Sequence, residues 1–137
     1  MSLFSIFDIA GSSLAAQNIR LNTTASNLAN AESISSSTDQ TYRARQPVFG
    51  EVLAGYDKTP GVSAVRVLGV VESQAPLRQE FQPDHPLANE EGYIFKPNVN
   101  VVEEMANMIS ASRAYQNSIE VMNAAKQMML RTLSLGQ

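Results

Sequence analysis

His85 is the only histidine of this 137-residue chain, and it is the first residue to consider for chemistry. Asp84, Glu90 and Glu91 lie close to it in sequence, and an imidazole beside carboxylates could act as a general base or bind a metal ion. However, His85 stands in a proline-flanked segment that should form turns, where a single histidine is more often structural. We therefore expect a turn here, with no catalytic residue, metal ion or cofactor.

Other sequence signals of chemistry are missing as well. The chain has no cysteine, which excludes disulfide bonds, thiolate zinc sites and cysteine nucleophiles. It contains no glycine-rich phosphate loop, no nucleophile elbow and no zinc-ligand spacing. The sequence therefore does not predict an enzyme.

The composition is that of a globular protein with little charge. Hydrophobic residues make up 44% of the chain, charged residues 17%, and the net charge is -3. Because the basic residues are scattered, we expect no nucleic-acid partner. We expect no direct membrane insertion, because no apolar stretch reaches the ~18 residues of a membrane span. The first residues also lack a secretory signal, so any export should proceed without a cleaved signal peptide.

The C-terminal segment shows a repeat of seven residues. One series comprises Val101, Met108, Tyr115, Met122 and Met129, and a second, four positions later, comprises Met105, Ser112, Ile119, Lys126 and Leu133. No Gly or Pro interrupts residues 101–133, which predicts one helix with a coiled-coil seam, about 50 Å long at ~1.5 Å per residue. Asn100, followed by Glu103, predicts its N-cap.

The N-terminal segment repeats in the same way. Phe7, Leu14, Leu21 and Leu28 recur every seven residues and predict a second amphipathic helix over residues 5–30. Its polar face consists mainly of short uncharged side chains. Such side chains can hydrogen-bond to protein groups without the cost of burying ions, so this face tolerates packing against neighbours.

These elements predict an α+β fold. Its long N- and C-terminal helices pair as an antiparallel-type coiled coil, with a small β-rich central module between them. The predicted boundaries are 1–33 for the N-terminal helix, 34–97 for the central module and 98–137 for the C-terminal helix. Within the module, two alternating stretches around residues 42–49 and 62–71 predict strands. Residues 83–92 should be irregular, because prolines interrupt regular hydrogen bonding.

The two helices supply the candidate site residues. For the intramolecular helix pair we expect Phe7, Leu14, Leu21, Leu28, Met108, Tyr115, Ile119, Met122 and Leu133. The C-terminal helix is also apolar on further flanks, which one partner helix could not cover. For contacts between subunits we therefore expect Val102, Ile109, Val121 and Met128.

Three classes of function remain open on these grounds. The chain could be a structural subunit that packs through its terminal helices, an adaptor or effector that presents a helical bundle to a single partner, or a small enzyme that uses the loop around His85. The long seam, the uncharged helix face and the missing chemistry favour the structural subunit.

Several motifs resemble those of bacterial flagellar axial proteins. At the N-terminus these are residues 6–12 (Ile-Phe-Asp-Ile-Ala-Gly-Ser) and 25–31 (Ala-Ser-Asn-Leu-Ala-Asn-Ala). At the C-terminus, residues 97–105, 110–116 and 133–137 resemble the proximal-rod members of the family. The resemblance covers nearly the whole chain and is weakest at about residues 33–65. Residues 32–35 (Glu-Ser-Ile-Ser) replace the Thr-Gly-Phe or Thr-Gly-Tyr turn of many relatives.

The resemblance implies a subunit of the flagellar basal-body rod, the drive shaft that transmits torque from the motor to the hook. It implies a location in the periplasmic space and transit through the flagellar type III export apparatus. The implied partners are other copies of the chain and neighbouring rod proteins such as FlgB and FlgF-like subunits.

Overall fold

The computed structural model describes residues 3–53 and 63–135. Within these residues, two long helices flank four strands in chain order. The elements are α1 (Leu3–Asn30), β1 (Arg45–Leu53), β2 (Ser63–Glu72), β3 (Arg78–Phe81), β4 (Tyr93–Lys96) and α2 (Val101–Leu135). The predicted α+β fold and both predicted helices are confirmed. The predicted first strand is partly wrong, since β1 begins at Arg45 rather than near Tyr42.

Helices α1 and α2 lie side by side and run antiparallel. Ser13, in the first half of α1, lies 3.1 Å from Ser118 at the middle of α2, measured between the hydroxyl oxygens. Asn27, near the end of α1, donates a hydrogen bond to Glu104 near the start of α2. Neither helix, over the residues described, is apolar enough for long enough to span a bilayer.

Asn100 caps α2 as its sequence position predicts. Its side-chain oxygen accepts hydrogen bonds from the backbone N–H groups of Val102 and Glu103, at 3.2 and 3.5 Å. Glu103 and Glu104 in the first turn also place negative charge at the positive end of the helix dipole. Both effects fix where α2 begins relative to the preceding strand.

Strands β1 and β2 form a separate antiparallel two-stranded sheet. The register runs from Arg45 opposite Glu72 to Leu53 opposite Ser63, with an irregularity between Val48 and Phe49. A two-stranded sheet is marginally stable alone. Here it lies along α1, and the N–H of Val65 donates to the hydroxyl of Ser12 at 3.3 Å.

Strands β3 and β4 form the second antiparallel sheet, with residues 82–92 as turns between them. Phe81 and Tyr93 end this hairpin with an edge-to-face ring contact at 5.1 Å. Glu80 bonds Lys96 across the strands at 2.6 Å, and this hydrogen bond holds the pKa of Glu80 below its ordinary value. The irregular segment around His85 is thus confirmed, although the sequence did not predict the strands beside it.

The core lies where the end of α1, the start of β1 and the segment from β4 to α2 meet. Ile94 and Pro97 are fully buried there. Ala31, Ala44 and Val99 form a buried cluster with the partly buried Tyr42 and Val101 against it. This small core joins the central strands to the adjacent ends of both helices.

Position 92 requires a glycine, because of its backbone conformation and because neighbouring atoms leave no room for a side chain. Its φ is 80°, which side-chain-bearing residues rarely adopt, and a Cβ there would lie 2.9 Å from the Phe81 ring and 3.1 Å from Pro83.

We expect Gly92→Ala to lower the free energy of unfolding by about 1–3 kcal/mol, measured by urea denaturation followed by circular dichroism. Gly11→Ala is the matched control. It meets nothing within 4 Å and should stabilise α1 by up to ~1 kcal/mol. Unchanged stability of Gly92→Ala would contradict this account.

Candidate assembly surface

The contact between α1 and α2 buries small side chains. Ala10 on α1 and Ala111 and Ala125 on α2 are almost completely inaccessible. On α2, the positions toward α1 follow a three–four spacing and comprise Glu104, Met108, Ala111, Tyr115, Ser118, Met122, Ala125 and Met129. We call this series the inner seam. Its small members let the two helix backbones approach closely, so the large members are enclosed only in part.

Polar pairs also connect the helices at intervals of seven along α1. Ser13 contacts Ser118, Arg20 donates to the side-chain oxygen of Asn107 at 3.1 Å, and Asn27 donates to Glu104 at 2.9 Å. These pairs fix the register, because sliding one helix along the other would break all of them together.

Among these residues, Asn27 makes the most hydrogen bonds through its side chain. It is 1% exposed, and its Oδ1 accepts hydrogen bonds from the Tyr42 hydroxyl and the Arg45 N–H, both at 2.8 Å. Its Nδ2 donates to the Arg45 carbonyl at 2.8 Å and to the carboxylate of Glu104, which is 8% exposed. One amide thereby holds α1, the start of β1 and α2 together. We call this cluster the Asn27 node.

The structure places most residues predicted for the helix pair at intermediate exposure. These are Phe7, Leu14, Leu21, Leu28, Met108, Tyr115 and Met122, and their role in pairing stays a prediction. Ile119 and Leu133 lie elsewhere, because their side chains are 38% and 70% exposed.

The expected position of Ile119 and Leu133 is therefore corrected. The predicted second series of α2 is out of phase by one residue. The inner seam uses Glu104, Ala111, Ser118 and Ala125, whereas the apolar series that begins at Met105 faces away from α1. The sequence pattern missed this because small and polar side chains fill the true positions.

A stripe of large apolar side chains runs along the outside of α2. Its members follow the three–four spacing of a helix-packing face. They are Val102, Met105, Ile109, Ile119, Leu130 and Leu133, and all are exposed. We call this stripe the α2 ridge. It contains Val102 and Ile109, both predicted to contact other subunits.

The other predicted contacts, Val121 and Met128, lie on a different flank of α2, and each is about half exposed. Val121 lines an open, mostly apolar groove of about 330 Å³ between the helices, opposite Ile6 and Ile9 of α1. The structure thus leaves all four predicted contact residues accessible on a single copy, on two flanks of one helix.

The sheet of β1 and β2 exposes a third apolar surface, which the sequence pattern did not predict. Its exposed members are Val48, Phe49, Val52, Val65, Leu68, Val70 and Val71. The alternating pattern predicted strands but not that most of these side chains would remain uncovered. Such apolar patches commonly mark sites of protein–protein contact.

His85 lies in the turns between β3 and β4. Its backbone N–H donates to the Gln82 carbonyl, and its Nδ1 accepts a hydrogen bond from the Leu87 N–H, each at 3.1 Å. The ring therefore stabilises a turn. Across residues 3–53 and 63–135, no three His, Asp or Glu side chains converge on a position that could hold a metal ion.

Two family models match the chain, and both matches fall on the helices. The model described as "Flagella basal body rod protein" matches residues 7–32, which lie mostly in α1. The model described as "Flagellar basal body rod FlgEFG protein C-terminal" matches residues 90–135, from β4 through α2. The family signal therefore coincides with the helix pair and its exposed faces.

Curated relatives match over their full length. The chain is 54% identical over 139 aligned positions to the flagellar basal-body rod protein FlgC of Salmonella typhimurium. It is 53% identical over 137 positions to that of Escherichia coli and 40% identical over 139 positions to that of Buchnera aphidicola. In each case the alignment covers 100% of both chains.

The Asn27 node generates a prediction for stability. Asn27→Asp places a carboxylate against Glu104 and removes the donor that now meets the Arg45 carbonyl. We expect the free energy of unfolding to fall by about 2–5 kcal/mol, since the buried network loses a donor and gains a like-charge contact. Urea denaturation followed by circular dichroism measures the change.

Asn18→Asp is the matched control for the added charge, because Asn18 is exposed on the same helix. It should change stability by less than about 0.5 kcal/mol. Adding Glu104→Gln to Asn27→Asp should restore part of the lost stability, because it removes the like charge. Equal effects of the two aspartates would show that the node does not hold the elements together.

Proposed function

The chain belongs to the FlgC family of flagellar basal-body rod proteins, and from this premise we propose how it performs its role. It is a structural subunit of the flagellar basal-body rod. Its terminal helices assemble into the drive shaft that transmits torque from motor to hook. The observation that carries this proposal is the α2 ridge, a long apolar helix face that one copy of the chain leaves uncovered.

Torque transmission follows from how the contacts are distributed. The inner seam and the Asn27 node hold the two helices of one subunit in a fixed register. The α2 ridge and the groove beside Val121 then remain for neighbouring subunits. Many such contacts act in parallel along the shaft, so shear is resisted by packing rather than by covalent links. Within each subunit, the helix pair packs as a coiled coil.

The proposed partners are other copies of the chain and neighbouring rod proteins, FlgB and FlgF-like subunits. The subunit passes through the flagellar export apparatus without a cleaved signal peptide and takes its place in the periplasmic part of the rod. The role is not enzymatic. In support, His85 uses its ring nitrogen to hold a turn. An adaptor with a single partner explains less well why apolar surface lies on two flanks of α2 and on a sheet.

Adjacent residues on α2 provide a matched test. Ile109 belongs to the α2 ridge, whereas Ser110 is exposed and lies outside the ridge. Ile109→Asp should abolish swimming, because a charge enters an apolar contact between subunits. Ser110→Asp should leave swimming unchanged. The variants are expressed in an enteric strain whose own copy of the gene has been deleted, and swimming is measured. The amount of the chain in purified basal bodies is measured in parallel.

Both variants should remain folded, because each position is exposed on a single copy. Circular dichroism of the purified proteins checks this. Normal swimming with Ile109→Asp present in the basal bodies would contradict assembly through the ridge. Absence of the unmodified chain from purified basal bodies would contradict the rod assignment itself.

A further inference from the structure

The α2 ridge has the pattern of a face that receives one helix. Its three–four spacing continues without a break from Val102 to Leu133 through four polar positions, Ser112, Gln116, Asn123 and Lys126. Ser112 is half-buried and the other three are exposed. The order of apolar and polar residues along this face therefore specifies what can lie opposite it.

The chain itself carries a face of complementary shape on the outside of α1. Its residues are Asp8, Gly11, Ala15, Asn18, Asn22, Ala25 and Ala29, again at three–four spacing. We call this the α1 outer face. All are exposed except Gly11, which is half-exposed. The side chains are small, so large residues of another helix could pack between them.

Gly11 is not explained by the packing of a single copy. A glycine inside a helix costs about 1 kcal/mol relative to alanine, yet a Cβ at this position would meet nothing within 4 Å. Close approach of another backbone is a common reason for such a glycine. The position on the outer face indicates where that approach takes place.

We infer that the α2 ridge of one copy packs antiparallel against the α1 outer face of a second copy of this chain. One register matches all seven positions of the α1 outer face, and Val102, Leu130 and Leu133 at the two ends of the ridge extend beyond that face. Its pairs are Asp8–Lys126, Gly11–Asn123, Ala15–Ile119, Asn18–Gln116, Asn22–Ser112, Ala25–Ile109 and Ala29–Met105. Apolar residues face alanines, polar residues face asparagines, the glycine admits the asparagine, and the two charges are opposite.

Shifting the register by one heptad destroys the match. In one direction Asp8 would face Ile119 and Asn22 would face Met105. In the other direction Asp8 would face Leu133, and a lysine would face Ala15. Burying a polar group opposite an apolar one costs free energy unless it finds another partner. The polar positions therefore select one register among those that the spacing allows.

The contact must join different copies. Within one chain, α1 meets the inner seam of α2, through Ser118 and Glu104, and not the ridge. Since α1 and α2 are antiparallel in each copy, copies stacked with the same polarity bring the α1 of one antiparallel to the α2 of the next. Two different faces of one chain then join head to tail, and such a contact builds an open helical array when its rotation does not close into a ring. This inference rests on the proposed rod function and adds the contact that builds the rod.

Cysteine cross-linking tests the register, because the chain contains no cysteine of its own. Four single variants are needed: Ala15→Cys, Ala25→Cys, Ile109→Cys and Ile119→Cys. An α1 variant and a mass-tagged α2 variant are expressed together in the complemented strain, so every mixed disulfide joins two copies. Basal bodies are then purified, oxidised and separated on non-reducing gels.

The pairs 15/119 and 25/109 should give the mixed dimer, and the swapped pairs 15/109 and 25/119 should lose it. The two ridge positions are ten residues apart, about 15 Å along the helix, whereas a disulfide needs Cα atoms within about 7 Å. A parallel arrangement would give the opposite result, so cross-linking of the swapped pairs would overturn the inference.

The failure of this inference can be told apart from failure of the rod function. If the variants swim and are present in basal bodies but neither matched pair cross-links, the rod function stands and the contact is wrong. If even the unmodified chain is absent from basal bodies, both are wrong.

Gly11→Leu provides a second test of the same contact. A Cβ at this position meets nothing within 4 Å in the single copy, and Gly11 lies on the outside of α1, so circular dichroism of the purified chain should be unchanged. In basal bodies, the variant should abolish the 15/119 cross-link, because it fills the closest layer of the contact. Gly11→Ala is the control and should keep the cross-link. Retention of the cross-link by Gly11→Leu would contradict the close approach at this layer.

Discussion

Ala111 and Ala125 are among the most deeply buried residues described in α2, and both face α1. Alanine leaves little side chain between two helix axes, so the helices lie close and the larger residues beside them cannot enter the interface fully. Phe7, Leu14 and Tyr115 therefore stay half-buried. The apolar residues of the α2 ridge lie farther round the helix, where α1 does not reach. Close packing of small residues thus leaves the larger side chains of the pair only partly enclosed, and the ridge remains outside the pair altogether.

A pair with so little apolar burial needs another source of register, and hydrogen bonds supply it. A hydrogen bond contributes a modest net stability, but a buried group that loses its partner costs considerably more. The Asn27 amide makes four such bonds at one point, to Tyr42, to both backbone groups of Arg45 and to Glu104. Any shift of α1 against α2 or β1 would leave several of them unmade. The node therefore acts as a geometric constraint more than as a large store of stability.

The sequence predicted the helices because their heptad pattern is long and uninterrupted. It also predicted a pairing role for the first series of α2, including Met108 and Met122; these two residues are half-buried, and that role stays a prediction. It assigned the second series wrongly, because α2 is apolar on several flanks and periodicity alone cannot tell which flank meets α1. The positions that face α1 are occupied by Glu104, Ala111 and Ser118. These residues are polar or small, so a search for large apolar residues does not find them.

The Asn27 node was missed for a similar reason. Its members come from α1, from the start of β1 with the loop before it, and from α2. These segments are distant in the chain, so no local sequence pattern indicates the node. The two sheets were also only partly predictable. Alternation predicted β1 and β2, whereas β3 and β4 have four residues each and give too short a pattern to recognise. Sequence periodicity thus located the helices, and the tertiary contacts decided which of their faces remained free.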